Sequence, residues 1–357
     1  MEELRDINTM LQLMPQPAFR VENGTISHVN HAAAAYLLAP GQAFADLIHT
    51  GRQEYEEFTS GSLYLTLLLA QQQVGATLCR MEHGDIITLQ QPMDMPQLKV
   101  LALAAKELRE PLNGILSLTE QMLPGMTPEN TTQQLQLAQL NRRLYQLLRI
   151  TGNMSDAGAY AQGFAGRMEA IEICSFLQEL LEKTSAFGSF NGVSLAYELP
   201  RDTIFTMVDK EKLERAVYNL LSNALKFADA NTIVRAKLVC KNKRLYFSVS
   251  NTCSTPGPQG NIYQQFLREP ALEDPRNGLG LGMVLVRSAA TIHGGAVLAE
   301  QTEDGNRFTM TLQLSPTATD QLHSPILGFD YAGERDHCLL ELADVLPPQL
   351  YSTEQIF

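Results

Sequence analysis

Three alternating glycines stand between a long irregular stretch and a predicted helix, at Gly278, Gly280 and Gly282. Glycine lets the backbone adopt a positive φ and approach a ligand closely. The helix that follows offers free N–H groups and the positive end of its dipole, so the run predicts a cradle for an anion. No Gly-Lys-Ser/Thr follows, which excludes a Walker loop, and no tight strand-to-helix turn precedes the run, as a dinucleotide fingerprint would require.

A predicted helix at residues 209–227, with Asp209 as its N-cap, carries unusual polar residues. Asn219 and Asn223 are one turn apart and share a face, and Lys226 lies near it. An amide oxygen can bind Mg²⁺, and a lysine can neutralise phosphate charge. The alternative is two solvent-exposed amides on an ordinary helix.

Helices and strands alternate through residues 168–316. Further helices are predicted at residues 175–187 and 282–293, and an irregular stretch at residues 252–277. Strands are predicted at residues 193–199, 204–208, 232–239, 244–250, 296–300 and 307–314. This pattern predicts an α/β sandwich with a mostly antiparallel sheet.

The asparagine helix, a strand ending in Val-Ser-Asn, a lid-like loop and then Gly-x-Gly-x-Gly follow one another in an order that resembles the ATP-binding domain of sensor histidine kinases. These belong to the gyrase–Hsp90–kinase–MutL superfamily. Residues 262–268 resemble the family's phenylalanine box. The resemblance implies ATP and Mg²⁺ as cofactors.

The resemblance also implies roles for individual residues. Asn223 matches the Mg²⁺-binding asparagine, Lys226 a phosphate contact, and Phe227 the aromatic residue near the adenine. The glycine run matches the phosphate loop at the end of the ATP lid. Asn251 stands where the family usually has an aspartate that accepts a hydrogen bond from the adenine amino group, so the acceptor is kept and the charge is lost.

Asn219 stands where hydrolysing members of the superfamily have a glutamate that activates water. An amide cannot accept a proton at neutral pH, so general-base catalysis from this position is excluded. The resemblance therefore favours a kinase-type site over an ATPase.

Residues 96–155 carry apolar residues at spacings of three and four on two predicted helices. The stripe on the first helix is Leu98, Leu101, Ala105, Leu108, Leu112, Ile115, Thr119 and Met122, and that on the second is Leu137, Leu140, Leu144, Leu147, Thr151 and Met154. Two such hairpins from two chains would form a four-helix bundle, so we expect a homodimer. The alternative is a hairpin that rests on a neighbouring domain of its own chain.

The sequence AKELREPL at residues 105–112 resembles the histidine box of the dimerisation domain of sensor histidine kinases. Lys106 replaces the phosphoacceptor histidine, and the heptad places it beside the seam, facing solvent. In the family, the glutamate at this position helps the histidine. Here we expect Glu107 to form an ordinary ion pair on the helix surface. Lysine is protonated at neutral pH, so we expect no phosphoryl transfer to it.

Hairpins are predicted at Asn23-Gly24 and near His83-Gly84. With the motif Met14-Pro-Gln-Pro-Ala-Phe19, residues 29–33 and Pro40-Gly41, residues 1–95 resemble a PAS sensor domain. The predicted organisation is a multidomain α+β chain, composed of the PAS-like sensor at residues 1–95, the hairpin at 96–155, a Gly/Ala-rich linker at 156–167, a histidine kinase/Hsp90-type ATP-binding domain at 168–316 and a tail at 317–357. Part of that tail, residues 339–346, is apolar enough to dock as a short helix.

Charge and composition limit the partners. The net charge of −12 disfavours nucleic acid, no stretch is apolar enough to span a membrane, and five scattered cysteines suggest no zinc site. We expect a cytoplasmic, dimeric, histidine-kinase-like protein that binds ATP and Mg²⁺ without autophosphorylation and regulates a response regulator or a partner histidine kinase. The alternatives are a kinase or phosphatase acting in trans, or an interaction module with a dead nucleotide site.

Overall fold

A computed structural model describes residues 2–81, 84–90, 95–122, 131–161, 166–187, 192–254, 281–315 and 335–352. Within these ranges two modules share one large sheet, and a helical hairpin and a C-terminal segment pack against the second module. No helix among these residues is long and apolar enough to cross a membrane.

The N-terminal module is a curved antiparallel sheet with short helices. Its elements are α1 (Glu2–Leu13), β1 (Ala18–Glu22), β2 (Thr25–Val29), β3 (Ile48–Thr50), α2 (Arg52–Glu57), β4 (Ser62–Leu69), β5 (Gln72–Met81) and β6 (Gly84–Leu89). The strand order is β2-β1-β6-β5-β4, and β3 also pairs with β4. The hairpin predicted at Asn23-Gly24 is confirmed, with φ of 51° and 77° at these two residues. His83 of the second predicted hairpin lies outside the described residues.

Strand β4 is covered on both faces. Its residues Leu63, Leu65, Leu67 and Leu69 belong to the core of the N-terminal module. Tyr64, which points the other way, belongs to the core of the second module. This double burial explains why the segment is an almost continuous apolar run rather than an alternating one.

The helical hairpin consists of α3 (Met95–Met122) and α4 (Thr131–Ala161). Both predicted helices are present, and α3 continues through Pro111. The predicted linker is wrong over residues 156–161, which extend α4. This end of α4 lies against the second module: Ala157 is buried, and Asp156 is 3.2 Å from Lys212 of that module.

The second module contains β7 (Glu169–Glu172), α5 (Ile173–Ala186), β8 (Ser194–Glu198), β9 (Phe205–Val208), α6 (Lys210–Phe227), β10 (Ile233–Lys241), β11 (Arg244–Thr252), α7 (Leu281–Ile292), β12 (Val297–Thr302) and β13 (Gly305–Gln313). Its main sheet has the order β12-β13-β11-β10-β8. Only the β8–β10 pair among these is parallel, which agrees with the predicted mostly antiparallel sandwich. The short strand β7 was not predicted.

The two modules are joined edge to edge. Strand β12 pairs antiparallel with β4, with Val297 opposite Tyr64 and Ala299 opposite Ser62. Side chains reinforce the junction: the Glu54 carboxylate, fully buried, is 3.0 Å from Arg244 and accepts a 2.6 Å hydrogen bond from Thr311. The resulting sheet runs without interruption from β2 to β8.

The docking of the tail predicted at residues 339–346 is confirmed, but the helix covers only its first part and residues 342–346 form turns and a bend. Helix α8 (His337–Glu341) begins at the N-cap Asp336, and a 3₁₀ turn follows at Pro348–Tyr351. Buried residues of this segment, among them Leu339 and Leu346, belong to the same core as α4, α5 and α6.

Candidate functional site

Helix α6 positions the predicted asparagines. Its N-cap Asp209 accepts a 3.0 Å hydrogen bond from the Lys212 N–H, as the sequence predicts. Asn219 is 1% exposed, so it is not the solvent-exposed amide of the alternative interpretation. Asn223, one turn later, and Lys226 are half-buried. The helix thus buries one amide and leaves the next accessible on the same face.

The Asn219 amide is held from two sides. Its Nδ2 donates to the Arg215 carbonyl at 2.7 Å, one turn earlier. Its Oδ1 accepts a 3.1 Å hydrogen bond from Nη2 of Arg149 on α4. An amide with both ends engaged is fixed in orientation, so Asn219 links the hairpin to the second module.

The start of α7 lies against this amide. A Cβ added to Gly282 would stand 2.5 Å from Asn219 Oδ1, so glycine is required for this close approach. Gly282, at the second position of α7, is therefore next to the asparagine helix, as the site prediction requires. Gly278, Gly280 and residues 255–277 of the predicted lid, with the phenylalanine box at 262–268, lie outside the described residues.

Asn251 faces the same helical layer. Along β11 the residues Leu245, Phe247 and Val249 belong to the core beneath the helices, and Asn251 continues this alternation. It is 6% exposed, and its Nδ2 has no hydrogen-bond partner among the described residues. A buried donor without a partner is costly, which indicates a place for an incoming acceptor.

The end of β11 is attached to its neighbours on two sides. The Asp229 N–H, beyond the end of α6, donates to the Thr252 carbonyl at 2.9 Å, and the Asp229 carboxylate accepts from the Ser254 N–H at 2.7 Å. The Cys253 N–H donates to the Asp304 carbonyl at 3.1 Å. Asn251 is consequently held beside the C-terminal end of α6, where Phe227 is 40% exposed. Lys226 Nζ lies 5.7 Å from the centroid of the Phe227 ring.

His293 is a structural residue of this region. Its Nε2 accepts from the Asp209 N–H at 2.9 Å, and its Nδ1 lies 2.6 Å from the Ala289 carbonyl. Burial lowers the pKa of His293. The neutral ring thus fixes the end of α7 to the start of α6.

On α3, the residues of the degenerate histidine box are at the surface. Lys106 and Glu107 are both exposed, while the preceding Ala105 is 1% exposed and faces the interior of the hairpin. The exposure predicted for Lys106 is confirmed. Neither α3 nor α4 contains a histidine.

The sequence did not indicate a buried ionic network next to the site. Arg149 on α4 and Arg215 on α6 both contact Glu341 of α8, at 3.3 Å and 2.9 Å. Arg215 also pairs with Asp156, within the predicted linker, and donates to Asn153 at 2.7 Å. The partners lie far apart in the sequence, so no local spacing could have revealed them.

Two other features contribute nothing to this site. An open groove of about 700 Å³ covers the outer face of the sheet, opposite the helices, and its cations are partly paired, as Lys237 is with Glu198 at 2.8 Å. Among the described residues no group of three His, Cys, Asp or Glu side chains could hold a metal ion.

Comparison with known proteins gives a family for part of the chain. Residues 208–316 match the family described as histidine kinase-, DNA gyrase B-, and HSP90-like ATPase. The adaptive-response sensory kinase SasA of Prochlorococcus marinus is 25% identical, over a match that covers 60% of this chain and 57% of the relative's length. The sensor protein KdpD of Escherichia coli is 25% identical, over a match that covers 61% of this chain and 24% of the relative's length. The chain thus spans less than two thirds of the length of these relatives.

A solved structure, full-length ShkA in complex with AMPPNP, is 22% identical, with a TM-score of 0.49, and covers 61% of this chain and 46% of that chain. The family match coincides with α6, β10, β11, α7, β12 and β13. The described site therefore lies in a histidine-kinase-like ATPase domain, and the curated relatives are signal-transduction kinases.

Proposed function

We propose that this domain binds Mg-ATP between α6 and the start of α7, and that the chain is a signalling protein that does not phosphorylate itself. The observation that carries the nucleotide site is Asn251, a buried amide whose Nδ2 has no partner among the described residues. Its Oδ1 can accept from an adenine amino group while Nδ2 donates to a ring nitrogen. An aspartate would supply only the first of these contacts.

The residues present also suit the rest of a nucleotide. Half-buried Asn223 offers an amide oxygen on the accessible face of α6, and Mg²⁺ binds mainly through phosphates and water with few protein ligands. Lys226 would neutralise phosphate charge, and Phe227 provides an exposed ring beside Asn251. Gly282, together with Gly278 and Gly280, would place the N–H groups at the start of α7 on the phosphates.

What the chain would do with the nucleotide is limited by two substitutions. Asn219 has no proton-accepting group, so the site would not activate water for hydrolysis. Lys106 stands at the exposed position of the acceptor, and the hairpin carries no histidine. We infer a pseudokinase that responds to nucleotide and regulates a two-component partner, either a response regulator or another histidine kinase, in the cytoplasm.

The hairpin would provide dimerisation. Four residues of the predicted seams remain between 44% and 51% exposed: Leu108, Ile115, Leu140 and Leu147. The neighbouring face of α4, with Leu144 of the same predicted stripe, Tyr145 and Leu148, is already covered by the second module. An exposed leucine-rich stripe on two adjacent helices suits a second copy of the same hairpin in a four-helix bundle.

The N-terminal module would be the PAS-like sensor, and its position suggests how it acts. Its outer sheet face lies on α7: Tyr64 of β4 stacks under the Arg287 guanidinium at 4.7 Å, and Thr66 lies 3.2 Å from Thr291. Since α7 begins at the phosphate loop, a change in this sheet would reach the nucleotide without passing through the hairpin.

Titration with a fluorescent ATP analogue, with and without Mg²⁺, tests the proposal. We expect Mg²⁺-dependent binding that Asn223→Ala weakens about tenfold, since one polar contact of roughly 1.4 kcal/mol is lost. Gln178→Ala, which removes an exposed amide from α5, should bind like the wild type. Equal binding to the wild type and Asn223→Ala would contradict the site, and absence of binding to either would favour an interaction module.

Radiolabelled ATP separates the pseudokinase from an active kinase. The chain alone should acquire no acid-labile phosphate. Stable phosphohistidine on this chain would contradict the proposal. Phosphate appearing only on an added histidine-bearing partner hairpin would instead support the kinase acting in trans.

A further inference from the structure

Residues 335–352, here called the C-terminal strap, lie in a cleft between the hairpin and the second module. Its buried apolar residues are Cys338, Leu339, Leu340, Leu342, Ala343, Leu346 and Tyr351. On the side of the second module, His337 Nδ1 is 3.0 Å from Glu214 on α6, and Cys338 Sγ is 3.6 Å from Thr184 on α5. The strap therefore has a shaped binding site rather than a loose surface contact.

On the side of the hairpin, the strap is held through its backbone. Arg142 on α4 donates to the Ala343 carbonyl at 3.0 Å, and Gln146 donates to the same oxygen at 3.1 Å. Asn141, fully buried, donates to the Tyr351 carbonyl at 3.2 Å. Backbone-directed contacts in the middle and at the C-terminal end of the strap fix its register along α4.

Two carboxylates of the strap accept hydrogen bonds from one arginine, Arg149. Glu341, which is 0% exposed, receives Nε of Arg149 at 3.3 Å, and Asp344 receives Nη1 of the same residue at 2.7 Å. The remaining terminal nitrogen of Arg149 donates to Asn219 Oδ1, against which Gly282 rests. A single guanidinium thus connects the strap to the predicted phosphate end of the nucleotide site.

We propose that the C-terminal strap is an autoinhibitory element, which opposes Mg-nucleotide binding by holding Arg149 on Asn219 and which bound nucleotide releases in turn. The inference rests on the proposed nucleotide site. The guanidinium occupies the Asn219 oxygen, one helical turn from Asn223, and so places a cation beside the proposed Mg²⁺ site. While Glu341 and Asp344 hold Arg149, its positive charge is not available to a triphosphate.

Release follows from the same charges. A polyphosphate competes with Glu341 and Asp344 for Arg149, because guanidinium groups bind phosphate and carboxylate in the same bidentate manner. If nucleotide weakens the docking of the strap, docking must weaken nucleotide binding by the same factor. The two effects can therefore be measured independently.

Titration of the full chain with the fluorescent ATP analogue and Mg²⁺ measures how the docked strap changes nucleotide affinity. Glu341→Gln removes the central charge, and Asp344→Asn removes a charge whose side chain is 34% exposed, so that one variant folds even if the buried pair is essential. We expect each to bind at least about fivefold more tightly than the wild type, the lower end of usual coupling. Glu198→Gln, a distant change of the same charge, should leave affinity unchanged.

Alkylation of Cys338 measures how bound nucleotide changes the docking of the strap. This thiol is 1% exposed, and burial raises its pKa to about 12, so it reacts slowly while the strap is docked. Mass spectrometry should show faster Cys338 labelling in saturating Mg-nucleotide, and faster labelling in Asp344→Asn without nucleotide.

The outcomes separate the two proposals. Wild-type binding with equal or weaker affinity in both variants, or Cys338 labelling that nucleotide does not change, overturns the strap as an inhibitor and leaves the nucleotide site intact. Absence of binding in the wild type and in both variants overturns the nucleotide site and the inhibition together. Weak wild-type binding that strengthens in the variants supports both.

Discussion

Gly282→Ala tests the contact on which the candidate site is built. The new Cβ would stand 2.5 Å from Asn219 Oδ1, whereas real Cβ atoms essentially never come closer than 3.0 Å to such an atom. Asn219 is 1% exposed, so its amide can retreat only by stretching its own hydrogen bonds.

The size of the effect follows from those bonds. A retreat of about 0.5 Å would stretch the 3.1 Å bond from Arg149 beyond hydrogen-bonding distance. Losing a hydrogen bond to a charged group costs roughly 1.5–3 kcal/mol. Alanine gains up to about 1 kcal/mol over glycine in a helix. We therefore expect Gly282→Ala to lower the free energy of unfolding by about 1–2 kcal/mol.

Urea unfolding measures this change in the free energy of unfolding on four proteins: the wild type, Gly282→Ala, Asn219→Ala and the double variant. With Asn219 truncated the obstacle is absent, so Gly282→Ala should become neutral or stabilising and the cycle should give a coupling of about 2 kcal/mol. Gly114→Ala on α3, with nothing within 4 Å of the added Cβ, should be stabilising by up to about 1 kcal/mol. An equal cost of Gly282→Ala with and without Asn219 would refute the reasoning.

Three further predictions concern protonation, thiols and assembly. Burial holds the pKa of His293 below the usual histidine value of about 6.5. The unfolded chain therefore binds the extra proton first, and stability should fall as pH drops below about 6.5; His293→Gln should flatten this dependence in unfolding titrations at pH 5.5 and 7.5. Exposed Cys240 should react with a thiol reagent in the native protein well before Cys338, and simultaneous reaction would contradict the buried strap. Leu108→Glu and Leu147→Glu should each shift sedimentation from dimer to monomer, because a charge would enter the seam; unchanged dimers would exclude that stripe as the interface.

The sequence predicted local elements well wherever a pattern repeats over a short range. Asp209 was placed correctly as an N-cap, and the strands around residues 232–250 were predicted within two residues of their observed ends. These elements follow from neighbouring residues alone. The asparagine helix and Gly282 were likewise identified, and the structure brings them into contact.

Long-range pairing explains what was not predicted. Strand β4 was not predicted, since a strand buried on both faces lacks the alternation of apolar and polar residues. The small residues of 156–167 suggested a linker, yet residues 156–161 continue α4. Helix α4 lies close to α6 just before them, where a Cβ added to Gly152 would be 3.2 Å from Arg215. Arg149 and Glu341 are separated by almost two hundred residues, and their contact depends on the docked strap.

The junction between β4 and β12 also protects the two modules from association with other chains. One edge of β4 is shared by two partners, β3 at residues 66–67 and β12 at residues 62–64. Cutting the chain between the modules would expose an apolar strand edge on each half, and such edges recruit further strands. Fragments made at this boundary should therefore aggregate or pair with each other, whereas in the part of the chain that the structure describes the shared sheet ends at β2 and β8.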